Sequence, residues 1–418
     1  MKLVHVFTVP ISLNFLRGQV AYMKSLGFSV DVVSSPGGEL NAFAVREGAT
    51  PHAVAMARSI KPLLDLRAVY RLWRIFLKVC PQIVHAHTPK GGLLGIIAAF
   101  FAGVPVRIYH IHGLPFMTAG GLKRSLLRWT ERISCSLAHQ VFCVSPSVRE
   151  VAVTEGLCKA EKIKVLLRGS INGIDAAARF SPERFGNKDR SRLRERYGIP
   201  ADSRVLGFVG RVVKDKGIVD LMESWKRLSE ISPSLHLLIV GSFESQDAVP
   251  ADVEQFLRGD PKVHLAGHVD DTCSFFAAMD VVVLPTYREG LGMVLLEAAA
   301  MELPVVATRV PGCTDAVIDG VTGTLVPVRD SDSLTEAIRR YLECPELRTK
   351  HGRAGRERIL RDFRPGDMWR ELYSEYMKLL RARRRIPVAS ALAPRTRSDC
   401  HAATVHSPSA RVFRVGIL

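Results

Sequence analysis

Two hydrophobic periodicities alternate along this 418-residue chain. Short runs dense in Val, Ile and Leu mark strands buried on both faces: 2–9, 28–34, 83–87, 106–110, 140–144, 164–167, 203–209, 235–240, 263–269, 281–285 and 304–308. Stretches with apolar residues three and four apart mark helices: 19–26, 63–79, 93–102, 121–139, 148–155, from 218, from 293, 334–342 and 346–360. Strands alternating with helices predict an α/β fold built on parallel sheets. The series breaks at the turn-rich Gly169-Ser170-Ile171-Asn172-Gly173-Ile174-Asp175 and the charged stretch 182–199. That break predicts two facing Rossmann-like domains, 1–170 and 201–362, joined by a linker at 171–200. Beyond Arg381 the pattern stops, and the basic Ala/Pro/Ser/Arg segment 381–418 is expected to be disordered.

Composition narrows the class. Apolar residues make up 47 % and charged ones 24 %, which suits a globular protein with ample cores. The start, Met1-Lys2-Leu3-Val4-His5-Val6-Phe7, reads as a strand rather than a signal peptide, and the longest apolar run, Leu93–Val104, is too short to cross a bilayer. The eight cysteines (80, 135, 143, 158, 273, 313, 344 and 400) form no C-x-x-C pair and have no histidine at zinc spacing. Reduced cytoplasmic thiols, and no metal site, are the expectation. The net charge of +17 is lopsided: residues 1–180 carry 22 Lys/Arg against 9 Asp/Glu, residues 181–380 carry 28 against 31, and the tail carries 8 against 1. A basic first half suggests an anionic partner. No nucleic-acid-binding signature is present, whereas Gly121–His139 spaces Leu122, Leu126, Trp129 and Ile133 helically among Lys123, Arg124, Arg128 and Arg132. Such a helix either packs its stripe on the core or lies in an anionic membrane surface.

Candidate chemistry gathers at strand ends. The run 281–285 breaks into Thr286-Tyr287-Arg288-Glu289-Gly290 and resumes as a helix from Met293, so a glycine-bearing loop feeds a helix N-terminus. Unpaired N–H groups and the helix dipole favour an anion such as a diphosphate there. Glu289 and Glu297 lie eight residues apart, about two helical turns, so they are expected to share a face about 12 Å apart on the helical rise. Gly210-Arg211-Val212-Val213-Lys214-Asp215-Lys216-Gly217 follows another strand and offers Arg211 and Lys216 to a leaving diphosphate. His112 ends the strand 106–110 beside Gly113.

Glu289 to Glu297 resembles the E-x7-E signature, and Gly210–Gly217 the G-R-x4-K-G element, of retaining glycosyltransferases of family 4, which have the GT-B fold. HAHTPKGGLLG and His112-Gly113 resemble the family's first domain, Asn172-Gly173-Ile174-Asp175 its interdomain connection, and 363–380 its terminal helix, which returns onto the first domain. The resemblance covers about residues 1–380 and implies two Rossmann-like domains around a deep interdomain cleft. It implies transfer from a nucleotide-sugar, a UDP-sugar more readily than a GDP-sugar, to a hydroxyl acceptor without metal or other cofactor. It assigns His112 and Glu289 to the donor sugar. The donor is further bound by Arg211, Lys216, Gly290, Leu291, Gly292 and Glu297, the last on the ribose. GSINGID, PTYREGLG and HIHGLPF resemble the branch that builds surface polysaccharide on polyprenyl-diphosphate carriers, implying a peripheral enzyme on the inner face of the plasma membrane. Two alternatives are a nucleotide-sugar epimerase of the same architecture and a non-catalytic membrane-associated scaffold.

Overall fold

The computed structural model describes residues 1–384. Seven strands, β1 (Lys2–Val6), β2 (Ser29–Ser34), β3 (Thr50–Ala53), β4 (Ile83–His87), β5 (Val106–Ile111), β6 (Gln140–Cys143) and β7 (Ile163–Val165), form a parallel sheet in the order β3-β2-β1-β4-β5-β6-β7. Six more, β8 (Arg204–Val209), β9 (Leu235–Val240), β10 (Val263–Gly267), β11 (Val281–Leu284), β12 (Val305–Thr308) and β13 (Gly323–Val326), form a second in the order β10-β9-β8-β11-β12-β13. Strand order reverses between β1 and β4 in the first sheet and between β8 and β11 in the second. Ligands of open α/β sheets bind outside the carboxyl ends of strands at such switch points.

Alternation along β1 sorts its side chains to opposite faces: Val4 and Val6 to one core, Leu3 and Phe7 to another. The second of these cores is closed by the last helix, Pro365–Arg384, through Met368, Leu372, Tyr376 and Leu380, all buried. Their i, i+4 spacing lines one helix face, and burying each contributes roughly 1.5–3 kcal/mol. The helix thus follows the second sheet in the chain yet completes the first half.

Several elements escape the periodic reading, each for a visible reason. The strand β3 (TPHA) is a short edge strand with a proline and little burial. The helix Asn187–Arg196, inside the expected linker, is polar nearly all round and carries no apolar stripe. It is anchored instead by buried Arg194, which donates to the carbonyls of Ala278 and Ser203 and pairs with Asp280 at 2.9 Å. Helices Gly38–Glu47, Ala251–Gly259 and Cys273–Ala278 and strand β13 are likewise additions. The last helix runs four residues past 380, and the remainder of the expected disordered tail, 385–418, lies outside the described residues.

Candidate active site

Two loops of the second half are locked together at the β8/β11 switch. A Cβ on Gly217 would lie 1.8 Å from the Pro285 carbonyl oxygen, and its φ of 70° is left-handed, so the position accepts only glycine without strain. The Asp215 carbonyl accepts from the Tyr287 N–H at 2.8 Å and from Thr286 Oγ1 at 3.0 Å. These contacts bring Lys216 onto Glu289, and the two side chains form an ion pair about one-sixth exposed. Arg211 points elsewhere. It pairs with Glu244 at 3.1 Å, is half exposed, and shares that carboxylate with Arg58 of the first half.

The first half contributes the opposite wall. Gly290 packs directly on the His112 carbonyl, and its own carbonyl accepts from Ser145 Oγ at 2.7 Å. Asp315 accepts from the Ser147 N–H at 3.0 Å, and Ser147 Oγ accepts from the Gly312 N–H at 2.7 Å. Asp215 holds Arg288 at 2.7 Å and accepts from Thr118 of the first half at 3.2 Å. Between these walls lies a cavity of about 110 Å³ bordered by His112, Arg211, Asp215, Lys216, Arg288 and Glu289. Among the described residues, the N–H groups of Gly290, Leu291 and Gly292 have no hydrogen-bond partner.

His112 follows β5, with its Nε2 3.1 Å from Nδ1 of His87 and the rings of Phe7 and Phe15 alongside. Burial pushes its pKa down to about 3, so at neutral pH it is a neutral imidazole. A neutral ring beside a sugar can exchange hydrogen bonds with hydroxyls without repelling positive charge at the anomeric carbon. Glu297 stands apart. Glu289 lies in the loop, four residues before the helix Met293–Ala300 begins, so the two glutamates do not share a helical face. The Glu297 carboxyl is pushed up to about 7 by burial, partly opposed by Arg179, and has no hydrogen-bond partner among the described residues. The cavity therefore unites His112, Arg211, Lys216, Glu289 and Gly290, while Leu291, Gly292 and Glu297 line none of it. Asp215 and Arg288, inside the two quoted loop motifs, are additions to the expected set.

Comparison with known proteins agrees with this geometry. Residues 14–169 match the model of the glycosyl transferase 4-like domain, and 189–358 that of the glycosyl transferases group 1. A capsular polysaccharide biosynthesis glycosyltransferase of Staphylococcus aureus, CapM, is 37 % identical over 381 residues, covering 91 % of this chain and 98 % of the relative. The chain belongs to the family 4 GT-B glycosyltransferases. An Escherichia coli UDP-Gal:alpha-D-GlcNAc-diphosphoundecaprenol alpha-1,3-galactosyltransferase is 26 % identical, covering 82 % and 88 % of the two chains. Anabaena HepE, solved with UDP and glucose, superposes with a TM-score of 0.75 at 20 % identity, covering 90 % of this chain and 99 % of that one, and shares the fold. The relatives place this glycosyltransferase in capsular or related polysaccharide biosynthesis.

Proposed function

We propose that this glycosyltransferase moves a hexose or N-acetylhexosamine, with retention, from a UDP-sugar to a hydroxyl of a polyprenyl-diphosphate-linked glycan. The observation that carries the reading is the cavity between the halves, which sets Lys216, Arg211 and the unpartnered N–H of Gly290 beside Glu289 and His112. As the bond to the diphosphate lengthens, negative charge grows on the leaving phosphate, and preorganised N–H groups and cations stabilise it more than the ground state. An arriving diphosphate draws Lys216 from Glu289, freeing that carboxylate for the sugar's hydroxyls and for the positive charge at the anomeric carbon. Glu297, half-buried and unpaired, takes the ribose hydroxyls. The cations do the charge work of a divalent metal, so transfer needs none. The UDP and glucose bound to HepE support a UDP donor, and the diphosphoundecaprenol-linked acceptor of the E. coli relative supports a lipid-linked one.

The acceptor's membrane anchor fits the first half's outer face. Leu122 and Trp129 of the helix Gly121–Leu137 are 91 % and 61 % exposed, and Leu63, Leu66 and Phe101 on neighbouring helices also face outward. The exposed cations Lys123, Arg124, Arg67, Arg71 and Arg74 accompany them. No described helix is long and apolar enough to cross a membrane. This face lies on an anionic bilayer, on the cytoplasmic side where nucleotide-sugars are made.

The test is calorimetric binding and slow hydrolysis of a panel of UDP- and GDP-sugars in chelator, for wild type and Lys216→Ala. One UDP-sugar is expected to bind and turn over, with Lys216→Ala reducing turnover by about 10²–10³-fold. Binding of no nucleotide-sugar, or an unaffected Lys216→Ala, refutes the donor site.

A further inference from the structure

Five histidines converge behind the cavity. His5 pairs in register with His85, and His87 with His110, across β1, β4 and β5, while His112 follows two residues after His110. The period of two along each strand directs all five to one face. His5, His85, His87 and His110 are no more than 2 % exposed, and His112 alone borders the cavity. Hydrogen-bonded core histidines would be the ordinary reading, and four links fit it: His5 Nδ1 to His87 Nε2 at 2.9 Å, His110 Nδ1 to His85 Nε2 at 3.2 Å, His87 Nδ1 to His112 Nε2 at 3.1 Å and His85 Nδ1 to the Tyr376 hydroxyl at 2.6 Å. One ring nitrogen does not fit it. His110 Nε2 is fully buried and has no partner, an expensive omission for a polar atom.

We propose that His87, His110 and His112 form a binding site for one divalent transition-metal ion of the imidazole-preferring class, such as Zn²⁺, whose occupancy arrests transfer. Ligand nitrogens of the three rings lie within 4.8 Å of one another. The His87 Nδ1 to His112 Nε2 separation of 3.1 Å is close to the roughly 3.4 Å between ligands of a tetrahedral ion with bonds of about 2.0–2.1 Å. The nitrogens that His87 and His110 turn away from this point are held by His5 and His85, the orienting partners that ligating imidazoles require. Each ring binds as the neutral species with its proton on the far nitrogen, donated to His5 from His87 and to His85 from His110; the hydrogen that His112 Nε2 shares with His87 Nδ1 moves to His112 Nδ1, so no proton leaves. Of the three ligands, His112 alone borders the cavity, so a bound ion would act on the donor site through that ring. Nitrogen ligands alone favour Zn²⁺, Co²⁺ or Ni²⁺ over Mg²⁺ or Ca²⁺. Arrest rests on the proposed role of His112 at the donor sugar, because the ion occupies that ring.

The test uses full-length protein without a polyhistidine tag, stripped with chelator, and titrated with Co²⁺ alone. One equivalent is expected to produce the visible d–d absorption of a nitrogen-ligated site, displaced by Zn²⁺ and absent in His110→Gln. Micromolar Zn²⁺ is expected to slow donor turnover more than tenfold in wild type and less than twofold in His110→Gln, while Mg²⁺ does nothing to either. Should His110→Gln fail to fold, His5→Phe removes only an orienting partner and should weaken Co²⁺ binding about 10–100-fold. A missing Co²⁺ band, or one that persists in His110→Gln, overturns the site. A band without inhibition overturns the arrest and the role of His112 with it, while the donor site itself is judged separately by Lys216→Ala.

Discussion

Gly290→Ala tests whether the contact between the two halves is the working geometry. Gly290 does not have a left-handed φ, so alanine meets no backbone objection there. Its new Cβ would instead lie 2.0 Å from the His112 carbonyl oxygen, where ordinary contact begins near 3.4 Å. The obstruction lies between halves, so they can relieve it by parting some 1.4 Å, the difference between those two distances. Displacing reacting groups by about 1 Å costs on the order of 10²-fold in rate. Arg211, Lys216 and Glu297 all belong to the second half and move with Gly290. The substitution should therefore lower donor turnover about 10²-fold while nucleotide-sugar affinity changes less than about threefold. The melting temperature should fall by several degrees, because parting the halves also loosens Val144 from the second half's core and stretches the buried Ser145–Gly290 hydrogen bond. Calorimetric binding, turnover by UDP release and scanning calorimetry read the three quantities. Wild-type turnover in a folded Gly290→Ala protein refutes the claim that His112 and Glu289 act from the closed arrangement. A large loss of nucleotide-sugar affinity refutes the division of labour between the halves.

Gly217→Ala is the contrasting case: its Cβ would meet the Pro285 carbonyl within one half, at a positive φ, so no motion of the halves relieves it. A loss of roughly 2–4 kcal/mol is expected by denaturant unfolding, and a loss below about 0.5 kcal/mol would contradict the close loop packing. Glu297 gives a pH signature. Its folded pKa is raised to about 7, so its stability contribution is greatest below the ordinary 4.5 and is lost as pH climbs to about 7. Ribose hydroxyls prefer the ionised carboxylate, so nucleotide-sugar affinity should rise between pH 6 and 8 with proton release, read by calorimetry in buffers of different ionisation heat. The same rise in Glu297→Gln would remove Glu297 from the donor site. Leu122→Glu with Trp129→Glu should cut flotation with anionic vesicles several-fold at low salt while leaving hydrolysis of the free donor unchanged; undiminished flotation would place the lipid contact elsewhere.

What could be read from the chain and what could not divide along a physical line. Buried parallel strands carry dense apolar runs, so nearly every strand of both sheets was legible, and with them the loops at their carboxyl ends where Arg211, Glu289 and His112 lie. Elements stabilised by other means left no such trace: the helix Asn187–Arg196 is held by one buried guanidinium, and β3 borrows its order from β2. Within the site, residue types were legible but their pairings were not. Lys216 and Glu289 meet because Gly217 packs on Pro285 across some seventy residues of intervening chain, while Arg211, drawn equally well in the motif, turns to Glu244. Spacing misled for the two glutamates, since a helical rise was counted across residues that are loop until Met293. The histidines are the reverse case. His85 and His87, then His110 and His112, are each two apart on strand sequences, which by itself puts each pair on one face. Only the order β1-β4-β5, a product of chain topology, joins the two pairs to His5 and turns five scattered imidazoles into one cluster opening on the donor cavity.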